Sequence, residues 1–406
     1  MKFFATCAKG TEGALRRELA ALRLPAVTGA RGGVSFEGRL EHGMRACLWS
    51  RTAMRVLLEL AHFPAPDADS LYQGVRSVDW TEWLDVRTTL AVEATVASSA
   101  ITHSGYAALK VKDAVVDALR ERLGGRPDVD PKDPDVRIVL HLAGDRADLS
   151  LDLAGEPLHR RGYRAAMTAA PLKETLAAAM LSLGRVSLDL PFVDPLCGSG
   201  TLAIEQALAA RRLAPGLRRA FGFQRWPRYR GAHQSAWDRL KEEARSAALP
   251  RAPAPIVGRD RSERVLAAAR RNAEAAGVAG DVIFEEGDAR ELEPRWPAGT
   301  LCTNPPYGER LGPRPERATG ERAPERRKSR ERGGRDGEAR PAAGQRLQLQ
   351  GLYRGLGEML RRFHGWHAVV LSGSPLLERE VRLAPEISHR LWNGPIECRL
   401  LRFRIP

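Results

Sequence analysis

The sequence lacks the long apolar runs and the paired cysteines that characterise membrane proteins and disulfide-rich proteins. No apolar run among its 406 residues approaches the roughly 20 residues that a membrane-spanning helix requires. Lys9 and Glu12 interrupt the start of the chain before the apolar segment of a secretion signal could form. The five cysteines are scattered, without the spacing of a zinc site or a redox-active pair. We therefore expect a cytoplasmic protein with no membrane contact and no bound metal, and we favour a monomer.

Lysine is also scarce, because only 8 of the 64 basic residues are lysines. The net charge of +14 nevertheless favours a polyanionic partner. Residues 1–165 carry 23 basic and 22 acidic side chains, so nearly all of the excess positive charge lies in the second half of the chain. We therefore expect any nucleic-acid contact in the first half to be local rather than a broad basic surface.

The chain changes character along its length. Short strands and helices mix in a first unit, residues 1–50, and a second unit, residues 51–155, which is typical of α+β folds; a linker follows over residues 156–170. Residues 171–406 alternate strands and helices, which predicts a parallel sheet with crossover helices. Residues 312–347 contain almost no apolar side chains and many Arg, Glu, Gly and Pro, which predicts a disordered insertion.

Local signals define the ends of the last unit. Pro171 favours the first turn of a helix, since a proline there loses no hydrogen bond that the helix would make. Near the other end, Asn393-Gly394 separates two apolar strands and predicts a hairpin turn around these two residues.

A glycine-rich turn follows the first buried strand of the last unit. The strand and turn read Phe-Val-Asp-Pro-Leu-Cys-Gly-Ser-Gly-Thr, and a helix follows. Such a turn lets the backbone approach a ligand and directs free helix amides at it. Ala203 stands where the dinucleotide fingerprint has a third glycine, so the turn alone fits either a nicotinamide cofactor or S-adenosylmethionine. The candidate cofactor-binding residues here are Asp194, Cys197, Gly198, Ser199, Gly200 and Thr201.

Three further polar residues follow successive strands. Asp260 ends the next strand, where an acidic residue commonly accepts hydrogen bonds from ribose hydroxyls. Asp288 ends the third strand, and Asn304 follows the fourth. In Asn304-Pro305-Pro306-Tyr307 the prolines remove two amide donors and stiffen the turn. The Asn304 oxygen and the Pro305 carbonyl could accept the two hydrogens of a planar amino group, and Tyr307 could stack on its face.

Basic residues among aromatics provide candidate RNA contacts. Residues 211–230 hold seven arginines and no acidic residue, with four aromatic side chains between them. Basic groups can bind phosphates while aromatic faces stack on bases, although the aromatics fit a protein core equally well. Lys110 and Lys112 lie on a predicted helix of the second unit, where a solvated charged face is the simpler interpretation. The candidates from the 211–230 stretch are Arg225, Trp226 and Arg228.

Five stretches together resemble one enzyme family, the bacterial THUMP-containing 23S rRNA guanine-N2 methyltransferases of the RlmL type. The resemblance covers nearly the whole chain except residues 312–347. It implies a ferredoxin-like N-terminal unit, a THUMP RNA-binding domain and a Rossmann-like class I methyltransferase domain, whose seven-stranded, mostly parallel sheet has an antiparallel last strand. The stretches are Tyr106 to Asp117, Leu151 to Arg164, the nine residues from Pro171, Asp194 to Thr201, and Asn304 to Gly312.

The resemblance also implies roles. S-adenosylmethionine would be the methyl donor, with Asp288 at its adenine amino group, and Asn304 to Tyr307 would hold the guanine amino group. Arg161 and Arg164 would join the RNA contacts. Arg261 departs from the family pattern, which often has a second acidic residue there, so Asp260 alone would contact the ribose. Some relatives are fused to a second methyltransferase; because this chain ends before one, only the guanine-N2 activity is expected.

Other functions stay open. The Asn-Pro-Pro-Tyr turn also serves adenine-N6 methylation of DNA and glutamine methylation of release factors, but neither would be expected to carry the module at residues 51–155. Another RNA, tRNA or 16S rRNA, could be the substrate. A non-catalytic RNA-binding assembly factor is disfavoured by the complete set of strand-end residues, and a nicotinamide enzyme by the Asn-Pro-Pro-Tyr turn.

Overall fold

The computed structural model describes residues 1–164, 172–307 and 343–406. These residues form an eight-stranded sheet and a seven-stranded sheet, each with helices packed on it. Among them, no helix is long and apolar enough to cross a membrane. The predicted helix start at Pro171 and most of the predicted insertion lie outside the described residues.

The first sheet is built from the first two predicted units together. Its strand order is β2-β3-β1-β4-β8-β7-β5-β6. The long strand β4 pairs with β1 on one side and β8 on the other, so the sheet continues across the predicted division at residue 50. The elements are β1 (Lys2–Thr6), α1 (Glu12–Ala21), β2 (Thr28–Ala30), β3 (Gly33–Glu37), α2 (Leu40–Trp49), β4 (Arg55–Pro64), α3 (Ala68–Arg76), β5 (Thr89–Ala97), α4 (Ser104–Leu123), β6 (Asp128–Val129), β7 (Val136–Ala143) and β8 (Arg146–Asp152).

Side-chain alternation explains how this sheet buries one face. Along β7, Val136, Ile138 and Leu140 are fully buried, and the residues between them are partly exposed. Alternate residues of a strand point to opposite faces, so this pattern places one apolar row in the core.

Helix α4 ends where Gly124 adopts a left-handed conformation with φ +71°, which glycine allows without a Cβ clash.

The second sheet has the strand order β11-β10-β9-β12-β13-β15-β14. Strand β15 runs antiparallel to both of its neighbours, whereas β9 to β13 are parallel, which confirms the predicted sheet. The elements are α5 (Glu174–Leu183), β9 (Phe192–Asp194), α6 (Thr201–Ala210), α7 (Ala232–Ser246), β10 (Ile256–Asp260), α8 (Glu263–Ala276), β11 (Val282–Glu286), β12 (Thr300–Thr303), α9 (Ala343–Arg362), β13 (His367–Ser372), α10 (Pro375–Val381), β14 (Ile387–Asn393) and β15 (Ile396–Arg404).

Strand β9 is the point where the strand order reverses. It pairs with β10 on one side and with β12 on the other, and Phe192 is level with both Ile256 and Thr300. The carboxyl ends of these parallel strands therefore meet at one edge. In open α/β sheets a ligand-binding crevice forms at such a switch point.

Two local predictions need correction. The predicted last hairpin is present, but its turn consists of Gly394 and Pro395 rather than Asn393 and Gly394, since Asn393 still pairs with Ile396 and Gly394 has a positive φ, +63°. Residues 343–347, predicted to be disordered, form the first residues of α9.

The aromatic residues of the predicted RNA-binding stretch lie in the core of the first sheet. Phe221, Phe223 and Trp226 are at most 3% exposed. The rings of Phe221 and Phe223 stack 5.5 Å apart, and Trp226 meets Trp83 edge-on at 5.6 Å. The prediction that Trp226 stacks on RNA bases is therefore wrong in this structure, because its ring has no exposed face.

Candidate active site

A cavity of about 720 Å³ lies at the carboxyl ends of β9, β10 and β12, the position expected from the strand order. Its volume falls within the range of small-molecule sites. The N-terminal half of α9 forms another part of its wall. Eight of the residues predicted to contact a cofactor line it: Asp194, Cys197, Gly198, Ser199, Thr201, Asp260, Asp288 and Asn304.

The two glycines of the turn serve different purposes. Gly198 has φ +53°, and a Cβ placed there would meet no atom within 4 Å, so its backbone is open on the cavity side. Gly200 has φ +83°, and a Cβ there would lie 2.9 Å from Phe284 Cζ. Gly200 therefore lets the turn pack against its own fold and does not line the cavity. On the far side, Asn272 of α8 donates to the Ser199 carbonyl at 3.1 Å.

Two aspartates hold the backbone around the turn. Asp260 accepts hydrogen bonds from the Gly198 amide at 3.1 Å and from the Ser262 amide at 3.0 Å, so it ties the ends of β9 and β10 together. Asp194 accepts from the Leu196 amide at 3.2 Å and is only 1% exposed. Its burial raises its carboxyl pKa to about 7, and the nearby charge of Asp260 acts in the same direction.

Asp288 has a partner that the sequence reasoning missed. Arg290 donates from Nη2 to Oδ2 at 2.6 Å and from Nε to both carboxylate oxygens at 3.0 and 3.1 Å. These hydrogen bonds lower the Asp288 pKa to about 2. Arg290 also lines the cavity, and its stem packs on Gly355 of α9, where a Cβ would lie 2.5 Å from Arg290 Cδ. The only sequence signal was an opposite charge two residues away.

Asn304 lines the cavity and has an unused hydrogen-bond acceptor. Its Oδ1 atom is buried and has no hydrogen-bond partner among the described residues. A buried amide oxygen without a partner is costly unless a ligand supplies a donor. Pro306 also lines the cavity, whereas Pro305 is buried and does not. Acceptance of a hydrogen by the Pro305 carbonyl stays a prediction.

Tyr307 does not present the open ring that was predicted. It is 5% exposed, and its ring packs against Gly373, where a Cβ would lie 2.5 Å from Cδ2. Asn393 donates to the Tyr307 hydroxyl at 2.5 Å, and the Tyr353 hydroxyl donates to the Pro306 carbonyl at 2.6 Å. In this conformation Tyr307 anchors the turn instead of offering a stacking face. No local pattern pointed to Asn393 or Tyr353, which lie 86 and 47 residues from their partners.

Arg161 and Arg164 make contacts inside the protein rather than facing RNA. Arg161 is 5% exposed; its Nε lies 3.6 Å from Glu205 Oε1. Arg164 donates to Glu174 at 2.9 Å and to the Leu172 carbonyl at 3.0 Å. The prediction that these arginines bind RNA is wrong in this structure, because their charged groups are enclosed by protein partners.

The remaining RNA candidates are at least partly exposed but have protein partners. Lys112 pairs with Asp113 at 2.6 Å, and Lys110 lies 5.8 Å from the centre of the Tyr72 ring. Arg225 and Arg228 form ion pairs with Asp133 and Glu82, respectively. Exposed ion pairs are weak and can exchange partners, so RNA contact by these four basic residues stays a prediction.

In the described part of the chain, no group of three or more His, Cys, Asp or Glu side chains is arranged so that it could bind a metal ion. The five cysteines all lie among the described residues, where they are buried and form no disulfide.

Models of three protein families match the chain in sequence order. The RlmL ferredoxin-like domain matches residues 2–57, the THUMP domain matches residues 65–152, and the RMKL-like methyltransferase domain matches residues 161–319. The chain therefore contains regions that match these three domains, in this order. Its second sheet has the fold of class I, S-adenosylmethionine-dependent methyltransferases, and the cavity lies at the switch point of that fold.

Curated relatives carry the name ribosomal RNA large subunit methyltransferase K/L. The protein from Syntrophotalea carbinolica is 44% identical over 418 residues, covering 100% of this chain and 54% of the relative. The protein from Aeromonas salmonicida is 39% identical over 425 residues, with the same coverage. The chain therefore spans about half the length of the curated relatives it matches.

Solved structures match over the full chain. SMU.472, a methyltransferase crystallised with S-adenosylhomocysteine, is 28% identical with a TM-score of 0.84, covering 100% of this chain and 98% of that one. A protein from Listeria monocytogenes, described as a predicted N6-adenine-specific DNA methylase, is 27% identical with a TM-score of 0.83, covering 100% and 96%. The chain thus shares its architecture with both.

Proposed function

We propose that the chain transfers a methyl group from S-adenosylmethionine to the exocyclic N2 amino group of a guanine in 23S rRNA. The observation that carries the proposal is the unpartnered Oδ1 of Asn304, because Asn304 lines the same cavity as the glycine turn and the three strand-end aspartates. An acceptor for an amino group and a nucleoside-binding crevice therefore share one space.

The residues on the donor side fit S-adenosylmethionine. The open backbone at Gly198 leaves room for a ligand against the turn. Asp260, held by two backbone amides, keeps a fixed carboxylate for the ribose hydroxyls. Asp288, held ionised by Arg290, accepts the adenine amino group. When bound, S-adenosylmethionine supplies a methyl group on a positively charged sulfur.

On the substrate side, Asn304 has the main role. The guanine must leave its stack to enter the cavity, which costs on the order of a few kcal/mol. The Asn304 oxygen and, as proposed, the Pro305 carbonyl accept the two N2 hydrogens. These bonds orient the nitrogen lone pair and reduce its delocalisation into the ring. Positioning then supplies most of the catalysis, and no strong base is required because the N2 proton becomes acidic as the nitrogen gains its new bond.

The choice of RNA is supported by the relatives. Those named ribosomal RNA large subunit methyltransferase K/L match this chain end to end, and the THUMP domain provides an RNA-binding module ahead of the cavity. Adenine-N6 methylation is the second candidate. It is favoured by the description of the Listeria protein, and an Asn304 oxygen could accept from either amino group.

Product analysis separates these candidates. The chain is incubated with labelled S-adenosylmethionine and naked 23S rRNA, 16S rRNA, tRNA or DNA, and the products are examined by nucleoside mass spectrometry. We expect N2-methylguanosine in 23S rRNA. Labelled N6-methyladenine or labelled protein would overturn the proposal.

Asn304 is tested in the same assay. We expect Asn304→Ala to lower the transfer rate about a hundredfold or more, since it removes a positioning contact, while the Kd for S-adenosylhomocysteine changes by less than about twofold. Asn304→Asp, which keeps an acceptor oxygen, should retain part of the activity. Transfer by Asn304→Ala at the wild-type rate would show that another group holds the amino group.

A further inference from the structure

The edge of the methyltransferase sheet is held by the first unit of the chain. Strand β14 is an edge strand of that sheet, and the loop between β1 and α1 contacts it. The Trp392 amide donates to the Lys9 carbonyl at 3.1 Å, and Lys9 Nζ lies 3.7 Å from the centre of the Trp392 ring. A hydrogen bond and a cation–π contact therefore fix the loop on the strand.

Gly10 makes this contact unusually close. Its φ is +87°, and a Cβ there would overlap the Arg390 carbonyl oxygen and lie 2.7 Å from Leu391 Cα. The atoms in the way are backbone, which cannot rotate aside as a side chain could. Any larger residue at position 10 must therefore push the loop and β14 apart.

The last residue of the same strand reaches the candidate catalytic turn. Asn393 is 9% exposed and donates to the Tyr307 hydroxyl at 2.5 Å. Because the hairpin turns only at Gly394, Asn393 keeps strand geometry and can direct its amide into the core. Tyr307 is also packed against Gly373 and lies three residues after Asn304 in a turn stiffened by two prolines.

These contacts form one continuous path from the first unit to the candidate active site. We propose that the Lys9-Gly10 loop and Asn393 are positioning elements for methyl transfer, setting the placement of Asn304 through Tyr307. The inference rests on the proposed function in so far as Asn304 is the residue that holds the target amino group. It gives the first unit a part in the chemical step in addition to any contact with RNA.

The path is separate from the donor side of the cavity. Lys9, Gly10, Asn393 and Tyr307 do not line the cavity, which is lined on the donor side by the glycine turn and the strand-end aspartates. Loss of the path should therefore change the rate of transfer and leave the affinity for the donor unchanged. A generally loosened fold would change both.

The first test is a double-mutant cycle on Asn393 and Tyr307. We expect Asn393→Ala and Tyr307→Phe each to lower kcat about tenfold, the scale of one lost buried hydrogen bond, with the Kd for S-adenosylhomocysteine within about twofold of wild type. The double variant should be no slower than either single variant, because both changes break the same bond. Arg390→Ala is the matched control, since its side chain is 71% exposed on the same strand and, among the described residues, pairs only with Glu397 of the hairpin.

The second test connects the first unit. Gly10→Ala should lower kcat in the wild-type background and have little further effect in the Asn393→Ala background. Hydrogen–deuterium exchange of residues 300–307 should rise in Gly10→Ala and Asn393→Ala but not in Arg390→Ala. The inference would be overturned if the effects of Gly10→Ala and Asn393→Ala on kcat multiplied independently. It would also be overturned if S-adenosylhomocysteine binding were lost in parallel, or if exchange were unchanged.

The exchange measurement also separates this inference from the proposed function. If exchange rises as expected while Asn304→Ala stays fully active, the path exists and the proposed role of Asn304 is wrong. If Asn304→Ala is inactive while Gly10→Ala and Asn393→Ala leave both the exchange of residues 300–307 and kcat unchanged, the proposed function stands and the path is wrong.

Discussion

At the scale of single residues, Asp194 shows how burial sets the chemistry of a cavity. Its pKa is raised from 3.8 to about 7 by desolvation. In the unfolded chain the same carboxyl ionises near pH 4. Between about pH 4 and pH 7 the folded state therefore binds more protons than the unfolded state, and the stability of the fold decreases as the pH rises through that window.

Replacement of Asp194 should remove this pH dependence. We expect Asp194→Asn to increase the free energy of unfolding at pH 8 by up to about 4 kcal/mol, the equivalent of the pKa shift at 1.36 kcal/mol per unit, with a smaller gain near pH 5. The measurement is urea unfolding at several pH values. Asp189→Asn is the control, because Asp189 is exposed in the same domain. Identical pH profiles for wild type and Asp194→Asn would show that the carboxyl is already ionised at pH 5.

Asp194 would also link donor binding to pH. A positively charged ligand favours the ionised carboxylate, so donor binding near pH 6.5 should release a proton and tighten as the pH rises towards 8. This release should be absent in Asp194→Asn, and calorimetry in buffers of different ionisation enthalpy would detect it.

At the scale of secondary-structure elements, helix α6 is held along its length by arginines that precede the helix in sequence. Arg164 reaches the Thr201 hydroxyl at its first residue, at 3.5 Å, and Arg161 pairs with Glu205 in its middle. Arg51 donates to the Leu208 carbonyl near its end at 3.1 Å. Because α6 begins directly after the glycine turn, these arginines also fix one wall of the cavity.

Removal of one arginine should weaken both the fold and the cavity. Arg161→Ala leaves Glu205, which is fully buried, without its ion-pair partner, and we expect a loss of about 3 to 5 kcal/mol in the free energy of unfolding. Binding of S-adenosylhomocysteine should weaken in parallel. Arg160→Ala is the control, since the guanidinium of Arg160 is 66% exposed and, in the described part of the chain, forms an ion pair only with Glu156. Unchanged stability with weakened RNA binding would instead restore the sequence-based role of Arg161.

The limits of the sequence analysis follow from these contacts. The sequence was enough to place four polar residues in one site, because each follows a strand and the carboxyl ends of parallel strands meet at one edge of the sheet. These residues are Asp194, Asp260, Asp288 and Asn304. Their partners could not be found this way, because Asn393 approaches Tyr307 across 86 residues with no repeating pattern. Nor does composition reveal burial. The basic character of residues 211–230 suggested an RNA-binding surface. In the structure, Trp226 is buried and several of the arginines donate hydrogen bonds to carbonyls of the protein itself.

At the scale of the whole molecule, the core of the first sheet includes residues from the second half of the chain. Helix α7 follows the first strand of the methyltransferase sheet in sequence, yet Trp237 on this helix packs in the core of the first sheet. Its ring meets Phe221 and Phe223 edge-on at 5.4 and 5.1 Å. Arg45 of α2 also pairs with Glu243 of α7 at 2.8 Å. The first sheet is therefore completed by a segment from the second half of the chain.

Substitution of Trp237 in the full chain tests whether the second half of the chain stabilises the first core. Trp237→Ala removes a ring that is 2% exposed, and we expect a loss of about 3 to 5 kcal/mol in the free energy of unfolding. Because the ring packs against the first core, hydrogen–deuterium exchange should rise in β7 and β8 more than in β9 and β10, although Trp237 lies between β9 and β10 in sequence. Arg239→Ala, at a 66% exposed position of the same helix, should change neither quantity. If protection is lost only around β9 and β10, α7 stabilises the methyltransferase sheet alone, and the first sheet folds without help from the second half of the chain.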